Sequence, residues 1–363
     1  MYEVFYNLKA EPFRLSPDHR FCYDHKCYAK ARAYMAYAFM RAEGFVMITG
    51  RPGTGKTTLI GELVESLADE NVKTANLVCT QLEADDLLKV TAYNFGVDHN
   101  IVEKGELLQQ LGMLLQRWHR DGRRALLIVD EAQDLSVSAM EELRLLTNIQ
   151  ESGKPLLQIF LLGQPELRDL VLSPSLEQVH QRIVAASHLE ALEKDETEAY
   201  IIHRLEKVGW QGDPALSKTI FPLIHKFSEG VPRRVDLICS RLFLHGCVEQ
   251  RHRIGVADLR EVIKELQYEN LAAGTKFSDD DFQLDDEFDQ PDKVSDTSDY
   301  SLGNETTNDA EKVEHLDNTP TENSETVDTP EREYLHAVGD EVVIQFDAAT
   351  GRLVADNEKK KMT

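Results

Sequence analysis

One nonapeptide restricts this chain more than any other feature in it: GRPGTGKTT at 50–58, which satisfies G-x-x-x-x-G-K-[ST] and directly follows the apolar run FVMIT. An apolar run ending in glycines and a lysine predicts a buried strand that turns through a tight loop into a helix. Gly50, Gly53 and Gly55 let such a loop curl until its backbone N–H groups converge, and the positive end of the following helix adds to them. Phosphate fits that nest. Within it Lys56 supplies charge to β and γ phosphates, the Thr57 hydroxyl is a ligand for Mg²⁺, and Thr54 and Thr58 complete the cradle. The pattern predicts a site for ATP with Mg²⁺.

The rest of the chain tells where such a loop sits. Tyr28 to Arg41 is rich in Ala, Met and aromatics at helical spacing and leads into the first strand. Further apolar runs follow at 74–79, 125–129, 158–162 and 183–187, separated by helical stretches such as ELLQQLGMLLQRWHRD and SAMEELRLLTNIQ. Five strands alternating with helices imply an α/β fold, a five-stranded parallel sheet covered on both faces. After Leu189 the strand signals stop. Helical segments at 194–208, 214–229, 234–250 and 256–267 predict a small α-helical lid. The domains read as an N-terminal segment (1–44) leading into the core, an α/β domain (45–190), a lid (191–270) and a tail (271–363).

Charge sets the tail apart. The chain carries a net charge of −24, and 271–363 holds 25 acidic and 8 basic residues. Such a segment has too little apolar surface to offset the entropy of folding and is expected to be disordered, with a small hairpin at 340–354, where alternating apolar residues flank a Gly-containing turn. The acidity also disfavours tight nonspecific DNA binding, which needs clustered Lys and Arg. Five cysteines, without CxxC or zinc spacing, read as reduced and mostly buried thiols. The start lacks a basic end followed by an apolar run, and no stretch approaches eighteen apolar residues. A cytoplasmic location is the expectation.

ALLIVDEAQDL at 125–135 puts two carboxylates at the end of a buried strand, where charge is costly unless something binds it. A metal accounts for both: Asp130 would hold it through water while Glu131 orients and polarises the attacking water, and Asp134 reads as a helix cap. QIFLLGQPELRDL ends another strand in Gly163 and Gln164. Gln164 would sense the γ phosphate or position water, the alternative being an ordinary strand-ending amide. Guanidinium groups stabilise charge spread over phosphoryl oxygens. Arg182 is assigned that role across a subunit interface and Arg233 a lid contact to ATP, with Arg168 and Arg234 as competing candidates.

With these residues in order, the chain from Met1 to about Gln267 resembles AAA+ ATPases of the general secretion pathway protein A type, in the branch associated with exosortase and PEP-CTERM exopolysaccharide loci. FYNLKAEPFRLSPDHRF, NLVCTQLEADDLL, LLIVDEAQDL, LLGQPELRDL, VGWQGDP and GVPRRVDLICSRL carry the resemblance. The chain departs from the branch at Arg51 and Pro52, where Glu-Val or Glu-Ile is usual, at Asp134 for Asn, and at His180 for Arg, so an arginine pair is reduced to Arg182 alone. The resemblance implies a homo-oligomer that hydrolyses ATP in envelope export. Its partner would be a membrane-associated secretion or polysaccharide-export protein that brings it to the inner membrane. DNA-associated AAA+ ATPases of the transposition or replication-initiation kind share the loop and lid. No winged helix or basic helix-turn-helix follows the lid here, which disfavours DNA as the partner.

Overall fold

The computed structural model describes residues 1–269 apart from 17, 42–43, 68–70 and 79–81, together with Phe282 and the backbone of 344–347 and 352–355. Five strands, β1 (Phe45–Gly50), β2 (Val72–Val78), β3 (Arg124–Asp130), β4 (Leu157–Gly163) and β5 (Ile183–Leu189), form one sheet. All neighbours are parallel, in the order β2-β3-β4-β1-β5. Successive side chains of a strand point to opposite faces, which sorts the core into two layers. Phe45, Met47, Leu127, Val129, Ile159 and Leu161 face one cluster. Val46, Ile48, Leu126, Ile128, Phe160 and Leu162 face the other.

Helices α1 (Lys26–Arg41) and α2 (Lys56–Ser66) cover the second face, and they are tied to one another where Glu62 accepts from the Tyr28 hydroxyl (3.0 Å) and from Arg32 (2.8 Å). The first face is covered by α3 (Ala84–Asn94), α4 (Lys104–Arg120), α5 (Val137–Leu146) and α6 (Pro165–Val171). In α4 the buried residues Leu107, Leu111 and Leu115 recur every four positions, one stripe of an amphipathic helix. Helix α5 starts at Ser136, whose hydroxyl accepts from Ala139 N (3.2 Å). The cap is therefore Ser136, which corrects the expectation of Asp134 from the sequence. Asp134 lies in the preceding 3₁₀ turn, and the chain must extend at Leu135 before a helix can begin.

The lid comprises α7 (Lys194–Lys207), α8 (Ile220–Ser228), α9 (Pro232–Val248) and α10 (Val256–Tyr268). Helix α8 begins six residues later than expected. Gly209 and Gly212, at φ 80° and 90°, turn the chain into an extended stretch, and Ala215–Leu216 pairs in parallel with Arg253–Ile254. The lid core also takes in the start of the chain: Tyr2, Tyr6, Leu8, Phe13 and Phe21 are buried in it, and the Tyr6 hydroxyl donates to Arg251 O (3.0 Å). Phe282 joins the same cluster, its ring 5.3 Å from that of Phe227.

Of the described cysteines only Cys239 is buried, and Cys22, Cys27 and Cys247 are partly exposed, all four as free thiols; the expectation of mostly buried thiols is corrected to one. Cys79 and most of the tail lie outside the described residues. Taken by itself, the pair Ile344–Asp347 and Arg352–Ala355 is an antiparallel ladder, Ile344 opposite Ala355. Among the described residues no helix is long and apolar enough to cross a membrane.

Candidate functional site

The loop between β1 and α2 curls where the sequence demands glycine. Gly53 and Gly55 take φ 84° and 97°, a region that side chains disfavour. At Gly53 space is also limiting, because an added Cβ would stand 2.7 Å from Cβ of Arg233. Lys56, the first residue of α2, is buried at 6% exposure, and its Nζ donates to the Gly50 carbonyl (2.8 Å) and the Arg51 carbonyl (3.3 Å). Burial lowers its pKa, and the nearby Glu131 and Asp130 carboxylates counter that. Thr54 is buried and its hydroxyl donates to Arg51 O (2.9 Å), while Thr58 lines the cleft beside Thr57.

Strand β3 lies two places from β1, with β4 between them, and it delivers its carboxylates to the same end of the sheet. The Thr57 hydroxyl donates to Asp130 Oδ2 (3.2 Å), and Asp130 Oδ1 accepts from Glu131 N (2.9 Å). Glu131 takes a left-handed backbone, φ 52°, which is costly for a side chain of its size and turns the carboxylate back toward β4. There Glu131 Oε2 accepts from Gln133 Nε2 (2.9 Å) and from Gln164 Nε2 (3.4 Å). Gln133 closes the triangle by accepting from Gln164 N through its Oε1 (3.0 Å). A Cβ at Gly163 would come within 2.7 Å of that oxygen, so glycine there keeps the triangle intact. Sequence reasoning does not single out Gln133. The only local signal is an amide two residues beyond the glutamate in DEAQ.

The lid forms the opposite wall. Arg233, at the start of α9, donates its backbone N–H to Gly53 O (3.2 Å) and lines a cleft of about 270 Å³ with Gly53 to Thr58 and Glu131. Arg51 and Arg234 both pair with Glu229, at 2.7 and 3.3 Å, a bridge from the phosphate loop to the lid. The Arg51 hydrogen bond holds the Glu229 carboxyl below the usual carboxylate range. Arg234 is thereby occupied, and Arg168 is exposed on α6 outside the cleft lining. Deeper in the cleft, Arg204 reaches Asp236 (3.0 Å) and the Pro12 carbonyl (2.9 Å), and Tyr200 donates to Asp236 (3.0 Å).

Arg182 is not brought to this cleft. Its carbonyl accepts from Phe45 N (2.8 Å), so it stands level with the first residue of β1, whereas the phosphate loop leaves the last. A strand of that length, at ~3.3 Å per residue, separates the two by roughly 20 Å. The Arg182 guanidinium donates to Thr147 Oγ1, to Asn148 Oδ1 (2.7 Å) and to Arg144 O (3.3 Å), all at the end of α5.

The sheet, the loop and the paired carboxylates define the class: an AAA P-loop NTPase fold, and residues 40–171 match the AAA domain family. More particularly, the chain is 34% identical over 261 residues to general secretion pathway protein A of Aeromonas hydrophila. The alignment takes in 71% of this chain and 47% of that protein, so this chain spans about half the length of its relative. Among solved structures it is similar to Cdc6p of Pyrobaculum aerophilum (TM-score 0.55, 17% identity, 69% of this chain and 71% of that one). It is also similar to the ORC2 protein of Aeropyrum pernix in its ADP form (TM-score 0.51, 18% identity, 68% and 72%). At such identities the likeness is one of fold.

Proposed function

We propose that the chain binds ATP with Mg²⁺ in this cleft and hydrolyses it, and that the cycle assembles or regulates an envelope export system, exopolysaccharide or sorted-protein secretion, through protein contacts. The observation that carries the catalytic part is the convergence on one cleft of Lys56, the Thr57–Asp130 pair and a Glu131 carboxylate held by two glutamine amides. A divalent ion fits this donor set, since a hydroxyl and a carboxylate oxygen 3.2 Å apart are the hard ligands that Mg²⁺ prefers. When bound, Mg²⁺ neutralises charge on the phosphate oxygens.

The chain's own residues do the rest. The loop N–H groups and Lys56 bind the phosphates, and Thr57 with Asp130 holds the ion. Glu131 orients and polarises the attacking water, and Gln133 and Gln164 fix the direction of its carboxylate. Through its contact with Glu131, Gln164 is also assigned to sense the γ phosphate. Arg233, whose side chain starts beside Gly53, supplies the lid contact to ATP. Arg182, too far from its own cleft, serves the nucleotide of an adjacent copy, so the working form is a homo-oligomer. The secretion setting, a membrane-associated partner and a place at the inner membrane through it rest on the relationship to general secretion pathway protein A.

The division of roles is tested by substitution. Lys56→Ala should abolish tight ATP binding, whereas Glu131→Gln should bind ATP normally and stop turnover; equal loss of affinity in both overturns the assignment. For Arg182, the expected loss is ~10³-fold in turnover. Mixing Arg182→Ala protein with Lys56→Ala protein should restore activity, because each supplies what the other lacks. Co-assembled mixtures that stay inactive would make Arg182 structural. Running the same assay with and without DNA, beside a pull-down of membrane partners, separates export from a DNA-associated role.

A further inference from the structure

A second cavity, of about 340 Å³, opens at the end of the sheet where the strands begin, opposite to the phosphate loop. Arg41, His119, Arg123, Arg124 and Lys154 line it, and among the described residues no Asp or Glu does. Gathering these side chains around one opening costs like-charge repulsion, which an anion in the cavity would relieve. Two of these cations are anchored to α1: Arg124 lies 3.7 Å over the Phe39 ring and donates to Phe39 O, and Arg41 donates to the Tyr37 hydroxyl (3.1 Å). The side chains of Arg123, Lys154 and His119 form no hydrogen bond or ion pair with the described residues.

The floor of the cavity supplies a second, independent sign. Gln158, the second residue of β4, is 3% exposed, and its Nε2 donates to Ala38 O (2.8 Å). Its Oε1 is buried with no hydrogen-bond partner among the described residues. Buried acceptors are rarely left unmatched, because the lost hydration is not recovered. A ligand that suits both features carries negative charge for the arginine and lysine rim and an O–H or N–H for the Gln158 oxygen.

We propose that this cavity is a binding site for a hydroxyl-bearing phosphate ester, separate from the nucleotide cleft. That chemistry has two sources, a soluble sugar or glycerol phosphate and the headgroup of an anionic glycerophospholipid. The full chain, preloaded with one equivalent of ADP so that the phosphate loop is filled, is titrated with glycerol phosphate by calorimetry and floated with vesicles of phosphatidylglycerol or of phosphatidylcholine. Binding of glycerol phosphate identifies the soluble source, and flotation with phosphatidylglycerol alone identifies the lipid. In either case joint substitution of Arg123→Ala and Lys154→Ala should weaken binding by about tenfold or more, since charge-assisted hydrogen bonds to phosphate are lost. Gln158→Leu should remove the preference for the ester over inorganic phosphate. The proposal is overturned if neither probe binds, if the variants bind as the parent does, if inorganic phosphate binds as well as the ester, or if duplex DNA occupies the patch in their place.

Discussion

The sheet of the α/β domain and the helices of the lid bury their polar groups in opposite ways. Strands β1, β3 and β4 are apolar through their lengths except for Gln158 and the Thr49 beside the loop, and their charges are delivered at the strand ends, where the phosphate loop and Asp130 stand. The lid instead holds Arg204, Asp236 and Asp258 at 5–7% exposure among its helices. The first arrangement leaves a rigid apolar sheet from which reactive groups project. The second makes lid packing depend on charge pairs, which are strongly orienting but add little net stability over apolar packing.

The chain provides a natural pair of reporters for this contrast, because Trp118 packs against the α/β core and Trp210 against the lid core. Proteins retaining one tryptophan each, made by Trp→Phe substitution of the other, allow the two regions to be followed separately. The largest effect is expected from Asp236→Ala, which leaves Arg204 buried without its carboxylate at a cost of about 3–5 kcal/mol. The Trp210 transition should fall steeply in temperature and the Trp118 transition much less. Equal shifts in the two would mean that lid and platform unfold as one unit, and the contrast would lose its energetic content.

A shallower loss is expected on acidification. His25, His203 and His225, all on the N-terminal and lid side, have pKa values lowered from 6.5, in each case chiefly by burial. A histidine kept neutral by folding contributes stability above its unfolded pKa, and that contribution is lost as pH falls through 6.5 toward the folded value. Asp236 works in the opposite sense, since burial pushes its carboxyl up to about 7 against the pull of Arg204. The informative comparison is therefore between the parent and His25→Gln at pH 7.5 and 5.5. The parent should lose more Trp210-reported stability than the variant, and identical losses would remove His25 from the account.

Arg51→Ala gives the smallest change in stability, under about 1 kcal/mol, because its pair with Glu229 is half exposed and screened. Its value is in separating stability from communication. If the Arg51–Glu229–Arg234 bridge couples loop to lid, the variant should show altered nucleotide affinity at nearly unchanged thermal transitions. Unchanged affinity would make the bridge a surface ion pair only.

Legibility in the sequence follows the distance between cooperating residues. The five strands, the phosphate loop and the Asp130–Glu131 pair are each written in one contiguous stretch, so periodicity or spacing within that stretch is enough to identify them. Gln164 is legible because it ends a strand of that same sheet. Gln133 is not, since its role comes from a backbone N–H 31 positions away. The aromatic residues of the first 21 positions span too little regular structure for a period to stand out, one helical turn at Tyr2–Phe5 and a 3₁₀ turn at His19–Phe21, and what they pack onto is formed some 200 residues later. The basic cavity is hidden for the same reason, being assembled from Arg41, Arg123 and Lys154 out of three separate segments.

That early segment has a consequence in time as well as in space. The Tyr6 hydroxyl and its acceptor on Arg251 are separated by 245 residues, so the segment leaves the ribosome long before its seat exists. At 5–20 residues per second the interval is roughly 12–50 s, ample for β1 to β5 to be made and to begin packing while Tyr2, Tyr6 and Phe13 remain uncovered. Assembly of the nucleotide cleft is thus ordered by synthesis: the phosphate loop and its carboxylates come first, and the wall that includes the Pro12 carbonyl and Arg204 closes only when the lid has been translated. A nascent chain stalled before α9 would carry GRPGTGKTT and Glu131 yet lack Arg233, able to form the loop but not the enclosure around it.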